Sequence, residues 1–316
     1  MISQPLKFLF VMDPYPGYDF EKDTSHLMML EAHSRGHRIF YGGATGIFLS
    51  LEGPHSHCQE VRVLRGSPYF EFQGPGDIPL GLFDLVFMRR DPPYDMSYLY
   101  TAQILLLSRR RVVNDPLILA TRNEKLIIFE WPQYIPRTLV TSDVAAIERF
   151  TKDNGHDLMI KDLGKFAAKG TWRIQWGTDI FYSKIREMTQ EGKMPVMVQP
   201  FLNKVSEGEK RVLFLEGDVL SVINRIPPKG GFVTSPHGGA VLHRDSLTPR
   251  EQEICQQVGS FLKEKGVFIA GLDLIGEMLI EVNITSPGLV WEHNEMEKAS
   301  FEKEIVNRME RRCMAS

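Results

Sequence analysis

Apolar runs of strand length recur along the chain, and the residues around each run decide what it becomes. "LKFLFVMDP" (6–14) is oily without alternation, the pattern of a strand buried on both faces. "DTSHLMMLEAHSRGHRIFY" (23–41) follows, with Asp23 to Ser25 as caps, Leu27, Met28 and Leu30 on one side and Gly36 at the exit of a helix, before "HRIFY" begins another strand. Strand, helix, strand predicts a parallel α/β unit. "FDLVFMRRDPP" (83–93) repeats the buried strand and ends on a polar mouth, and "RRRVVNDPLIL" (109–119) closes the unit near Thr121. Ligands of open α/β sheets bind beyond the carboxyl ends of strands, where Asp13, Arg89, Arg90 and Asp91 are expected. "DPYPGYDF" carries no G-x-G-x-x-G, which disfavours a dinucleotide-binding dehydrogenase.

The texture changes from Asn123. "NEKLIIFEW" (123–131) predicts a helix, while "DLMIKDL" (157–163) and "MPVMVQPFL" (194–202) predict strands with a polar helix, "DIFYSKIREMTQEG", between them. "KRVLFLEGDVLSVINRIP" (210–227) predicts a hairpin turning at Gly217-Asp218. "SLTPREQEICQQVGSFLKEKG" (246–266) predicts a helix with a Ser cap and a Gly stop, and a charged amphipathic helix ends the chain.

Composition narrows the classes. The 316 residues are 43% hydrophobic and 24% charged, as in ordinary globular proteins, and suffice for two or three packed units. A net charge of −3 gives no reason to invoke nucleic acid or an anionic membrane. No apolar run approaches the ~18 residues of a membrane span, and the first residues read as a strand rather than a signal peptide. Cys58, Cys255 and Cys313 are scattered and odd in number, which predicts a reducing cytoplasm. "HSHC" (55–58) has metal-ligand residue types without a second cluster and reads as a surface loop; "SRRRVV" (108–113) reads as a solvated helix end.

The candidate chemistry lies in "GLDLIGEMLIEVNITSPG" (271–288). Glu281 and Asn283, two apart on a strand, share a face with Leu279. Asp273 joins them if the turn has three residues, Ile275-Gly276-Glu277; a two-residue turn puts it on the other side. Three hard oxygen donors on one face make a platform for Mg²⁺, an ion that binds one or two carboxylates together with substrate phosphates. Cations stand elsewhere in the chain: Lys125 at a helix start, Lys161 at a strand end, and Arg211 and Arg225 on the two arms of one hairpin. The predicted pairing sets Arg211 almost opposite Asn224, one step from Arg225. Two guanidiniums reaching one place clamp phosphate oxygens with bidentate bonds, so cations and platform together predict a nucleoside triphosphate site.

The stretches "VMDP", "KDTSHLMMLEAHSRGH", "FMRRDPPYD", "NEKL", "KRVLFLEG", "RIP" and "GLDLIGEMLIEVNITSP" resemble the prokaryotic-type glutathione synthetases of the ATP-grasp superfamily over nearly the whole chain. The resemblance implies an N-terminal parallel α/β domain (1–121), a small central lid (122–198) and a C-terminal antiparallel sheet (199–316), with ATP between the last two. It implies that Asp273, Glu281 and Asn283 hold Mg²⁺, or Mn²⁺, between phosphates, and that Lys125 and Lys161 contact phosphates and adenine. Gln199, Phe201 and Leu202 in "QPFL" become the hinge strand that reads the adenine edge, and Glu209 meets the ribose. Arg211 and Arg225 steady the transferred phosphoryl group; Arg89, Ser286 and Pro287 shape the substrate side. The implied reaction joins γ-glutamylcysteine to glycine through an acylphosphate, with no covalent nucleophile, in a cytoplasmic homo-oligomer of which a tetramer is one form.

Two places depart from that pattern. "KDLGKFAAKGTWRI" (161–174) sets Lys165, Phe166, Ala167 and Ala168 where a glycine-rich lid loop is expected to cradle phosphate. No Arg lies between Arg225 and Arg244, and Trp291 stands near the place of another. These departures keep two alternatives in view: a ligase for a different carboxylate or amine, and an inactive nucleotide-binding relative.

Overall fold

The computed structural model describes residues 4–14, 20–108, 111–165 and 170–314. Its first sheet begins with β1 (Lys7–Met12), α1 (Thr24–Ser34) and β2 (Arg38–Ser50). β3 (Gly53–Val63), β4 (Phe70–Phe72), β5 (Gly76–Pro79), β6 (Leu85–Met88), α2 (Met96–Leu106), β7 (Val112–Val113) and α3 (Pro116–Thr121) follow. The strand order is β4-β3-β2-β1-β6-β7, with β5 also on β3. β2, β1, β6 and β7 run parallel, as expected, and β1 is buried on both faces. β3, β4 and β5 add antiparallel pairings, so the sheet is mixed. "HSHC" lies inside β3 rather than in a surface loop, with Ser56 and Cys58 buried and His57 facing Asp77 at 2.6 Å. Arg109 and Arg110 of "SRRRVV" and Phe166 to Lys169 of the lid loop lie outside the described residues.

The second sheet comprises β8 (Leu139–Thr141), β9 (Asp157–Asp162), β10 (Thr171–Gln175) and β11 (Val196–Pro200), all antiparallel in the order β10-β9-β11-β8. α4 (Val144–Asp153) and α5 (Ile180–Met188) pack on it around Ile147, Ile160, Phe181 and Ile185. "NEKLIIFEW", expected as a helix, forms a turn and a single 3₁₀ stretch, Ile127–Glu130.

The third sheet is antiparallel: β12 (Glu209–Leu215), β13 (Asp218–Ile226), β14 (Val241–Arg244), β15 (Ile269–Ile275) and β16 (Met278–Asn283), in the order β14-β13-β12-β15-β16. α6 (Pro249–Glu264), α7 (Val290–Glu297) and α8 (Phe301–Met314) complete the chain. The cap of α6 is Thr248, not Ser246: Glu251 N donates to the Thr248 hydroxyl and the Glu251 carboxylate accepts from Thr248 N, a capping box with Pro249 at the first helical position. One apolar core joins the first and third sheets, from Leu9 and Val86 to Leu272 and Val282. Among the described residues no helix is long and apolar enough to cross a membrane.

Candidate active site

β12 lies at the centre of the third sheet, and its register decides which cations meet. Glu216 and Gly217 form the β12–β13 turn, both at positive φ (54° and 84°), where a turn at Gly217-Asp218 was expected. The turn alone would shift the pairing by two residues and leave Arg211 and Arg225 on opposite faces, but a β-bulge between Leu213 and Phe214 takes one back, so the strands pair one step differently. Arg211 stands opposite Ile223, not Asn224, and Arg225 stands opposite Glu209. One step exchanges faces, and this one puts Arg211, Arg225 and Glu209 on the same face. On its other side Arg211 pairs with Asp273 of β15.

The β15–β16 hairpin reaches the expected face by an unexpected route. Its turn has two residues, since Ile275 pairs with Met278, and by itself would send Asp273 away from Glu281. A β-bulge corrects this. Leu274 pairs with Leu279, the register then shifts, and Asp273 pairs with Glu281. Leu279, expected beside Glu281, turns instead into the core with Leu272 and Leu274.

The result is a dense ionic cluster. Arg211 Nε donates to Asp273 Oδ1 at 2.6 Å and its second nitrogen to Oδ2 at 2.8 Å. Arg225 donates to Asp273 Oδ1 at 2.8 Å and to Glu209 Oε2 at 2.7 Å, and Asn283 Nδ2 donates to Asp273 Oδ2 at 3.1 Å. Thr234 Oγ1 also donates to Glu209 Oε2. Burial pushes the Asp273 carboxyl up, but the guanidiniums of Arg211 and Arg225 outweigh it and hold the group below the usual carboxylate range. Glu209 goes the other way: burial dominates and raises it. Lys125 Nζ lies 3.1 Å from Glu281 Oε1 and donates to the Lys165 carbonyl at 2.6 Å. Burial lowers the Lys161 ammonium.

These groups line one cleft of about 310 Å³ between the second and third sheets. Its lining takes in Gln199, Phe201 and Leu202 at the end of β11 and just after it, Lys161, Glu209, Arg211 and Arg225 of β9, β12 and β13, Lys125 of "NEKL", Asp273, Glu281 and Asn283 of β15 and β16, and Ser286 and Pro287. Gln199 is buried and donates to Thr138 Oγ1 at 2.9 Å, and the Arg173 guanidinium covers the Phe201 ring at 3.7 Å. Of the residues expected at the strand ends, Asp91 lines the cleft, Asp13 and Arg90 do not, and neither does Arg89. Its Nε donates to Ser25 Oγ at 2.9 Å and a terminal nitrogen to the Pro287 carbonyl at 3.0 Å, so it props the "TSPG" turn from behind.

Glu124 was not singled out from the sequence, although "NEKL" contains it. Its Oε1 accepts from Ile284 N (2.7 Å), Thr285 N and Thr285 Oγ1 (both 2.8 Å), binding the start of the "NEKL" turn to the end of β16. Asn114 ties β15 to the same region by accepting from Phe268 N at 2.7 Å and donating to the Ile284 carbonyl at 2.5 Å. A buried Asn or Glu that satisfies backbone across the fold leaves no periodic mark in sequence, so neither could be found by pattern.

Among the described residues no three His, Cys, Asp or Glu side chains cluster as a metal-holding group. The set here is completed by an amide: two carboxylates and Asn283, hard oxygen donors on one face. That chemistry fits a divalent ion that takes its remaining oxygens from phosphate.

Residues 6–119 match the family model of the prokaryotic glutathione synthetase N-terminal domain, and residues 124–298 match that of its ATP-grasp domain. A glutathione synthetase of Coxiella burnetii is 35% identical over 287 residues, 89% of each chain. One from Nostoc sp. is 30% identical over 319 residues, 97% of this chain and 98% of its own. The structure of D-alanyl-alanine synthetase A from Vibrio cholerae aligns with a TM-score of 0.62 at 14% identity, covering 99% of this chain and 100% of that one, a likeness of fold alone. With both domain models matched in order, the chain belongs to the prokaryotic glutathione synthetase family of ATP-dependent carbon–nitrogen ligases with the ATP-grasp fold.

Proposed function

We propose that the protein joins the carboxylate of γ-glutamylcysteine to the amine of glycine, with ATP first phosphorylating the carboxylate and the amine then displacing phosphate. The observation that carries this reading is the convergence of Arg211, Arg225, Lys125 and Lys161 with Asp273, Glu281 and Asn283 in one cleft. Phosphoryl transfer asks the protein for position and charge neutralisation rather than a nucleophile, and this wall offers both. In this reading Gln199, Phe201 and Leu202 meet the adenine. Glu209 meets the ribose through Oε1, which accepts no hydrogen bond among the described residues. Lys125 and Lys161 take phosphate oxygens, and Arg211 and Arg225 hold the transferred group. Asp273, Glu281 and Asn283 would hold Mg²⁺, or Mn²⁺, which supplies charge neutralisation between phosphates. Ser286 and Pro287 border the substrate carboxylate.

A second reading, a different carboxylate or amine substrate, rests on Trp291, which stands where the family resemblance sets an Arg and whose ring carries the Lys22 ammonium at 4.7 Å. A coupled ADP-release assay separates the two. Turnover with γ-glutamylcysteine and glycine supports the first. Turnover only with another amine from a panel of amino acids and dipeptides supports the second, and none with any pair contradicts both.

We also propose unit limits of 1–121, 122–198 and 199–316; the three sheets follow one another in this order along the chain, with the end of β11 (Val196–Pro200) crossing the second limit. A homo-oligomer in a reducing cytoplasm is proposed likewise, the latter supported by three free thiols.

A further inference from the structure

Five carboxylates line the cleft where phosphoryl and acyl transfer are proposed, of which Asp91 lies in the field of Arg89 and three form ion pairs with cations. Asp273 is bound by Arg211 and Arg225, Glu209 by Arg225, and Glu281 by Lys125. Glu124 differs. All three of its hydrogen bonds end on Oε1. Oε2 accepts none among the described residues, and no cation there lies within ion-pair distance of it. The residue nevertheless lines the cleft, as do Glu281, Asn283 and Thr285 to Pro287, and its Oε1 accepts from Thr285. A carboxylate held rigidly by three donors on one oxygen, in a residue that lines a substrate cleft, keeps its second oxygen as an acceptor for a further donor.

We infer that Glu124 is the docking residue for the attacking amine, its Oε2 accepting an N–H of the incoming ammonium beside the acylphosphate carbonyl. This rests on the ligase reading above and names the group that reads its second substrate. The placement is what the reaction needs. Glu124 adjoins Lys125, which pairs with Glu281 on the metal side, and it is bonded to the turn that borders the acyl side, so an amine held there lies between the two. A primary ammonium is the class of ligand that a buried carboxylate without a cation selects, and a neutral nucleophile gains less from it.

Glu124→Gln gives a sharp test. The amide oxygen keeps the acceptor for Ile284 and Thr285, while its NH₂ puts a donor where Oε2 accepted. Two reactions are followed on the full chain with ATP and γ-glutamylcysteine: peptide formation with glycine, or the amine the panel selects, and capture of the acylphosphate by hydroxylamine, which is mostly uncharged at pH 7.5. The expected result is a loss in kcat/KM for the amine of about 10²-fold, carried largely by KM, with hydroxamate formation falling far less. Unchanged amine kinetics overturn the inference. So does an equal loss in both reactions, because it would assign Glu124 a purely structural role through Oε1. If the unsubstituted protein forms neither peptide nor hydroxamate, the ligase reading itself fails and takes this inference with it.

Discussion

Arg211 and Asp273 face each other on neighbouring strands, joined by two parallel hydrogen bonds of 2.6 and 2.8 Å, and both side chains are buried. Arg225 and Asn283 add one bond each, so that each Asp273 oxygen accepts two. Removing one partner of such a cluster leaves buried charge uncompensated, and that outweighs the modest net worth of the intact pair. Asp273→Ala is expected to lower unfolding stability by about 3–5 kcal/mol, read from denaturant midpoints, in addition to ending turnover. A loss below about 1 kcal/mol would show that water reaches the two guanidiniums freely.

The same saturation has a consequence for ligands. A carboxylate with about four acceptor positions, all taken, has little left for a metal ion until its arginines turn elsewhere. Triphosphate oxygens offer the arginines that alternative. Mn²⁺ titrated into the protein alone should bind weakly, and should bind at least tenfold more tightly with a non-hydrolysable ATP analogue present, as followed by the loss of its free-ion resonance. Equal affinity in both titrations would contradict the account, since linkage allows no hidden coupling.

Gly259 sits inside α6 because the hairpin turn needs the room. A Cβ there would meet the Gly217 carbonyl oxygen at 2.3 Å, and one on Gly217 would meet the Gly259 carbonyl at 2.4 Å. In an exposed helix Gly→Ala stabilises by about 1 kcal/mol; here the backbone clash reverses the sign. Gly259→Ala is expected to destabilise by roughly 1–3 kcal/mol in thermal unfolding. Gly217→Ala, which adds strain at positive φ, should cost more.

His293 gives a pH dependence whose sign can be worked out. Its Nδ1 is 2.7 Å from Ser221 Oγ, and burial, then the guanidiniums of Arg211 and Arg225, push its imidazole down to about 3. The unfolded chain takes up this proton near pH 6.5 while the folded chain refuses it until about 3. Its contribution is therefore complete above pH 6.5 and is lost progressively as pH falls towards 3. The stability difference between the natural protein and His293→Leu should shrink as urea unfolding is repeated from pH 7.5 down to 5. A difference that stays constant would show that the imidazole takes up its proton in the fold at the same pH as in the unfolded chain.

Much of this site was readable before any coordinate, and the exceptions have physical causes. Apolar runs without alternation identified β1 and β6, because strands buried on both faces leave no polar beat. Glu281 and Asn283 could be set on one face from spacing alone. Asp273 could not, because its side depends on a turn length and a bulge. The three-residue turn was wrong, and the extra residue in β16 restored the face that a two-residue turn would have lost. In the β12–β13 hairpin the turn at Glu216-Gly217 alone would still part Arg211 from Arg225, and the bulge between Leu213 and Phe214 brings them to one face. "NEKLIIFEW" has helical periodicity yet forms a turn, since Glu124 bonds to β16 rather than to its own helix. Arg89, with every mark of a ligand-binding cation, binds Ser25 and the Pro287 carbonyl instead.

Glu281 carries the most direct test. It is more exposed than Asp273, and Gln at this position keeps an oxygen for Lys125 while removing the charge that a divalent ion requires. The measurement is ATP-dependent product formation by Glu281→Gln, with γ-glutamylcysteine and glycine at saturating Mg²⁺, alongside its unfolding midpoint. The account predicts that turnover falls on the order of 10³-fold with the midpoint nearly unchanged. A variant that keeps Mg²⁺-dependent turnover near the natural rate would contradict it.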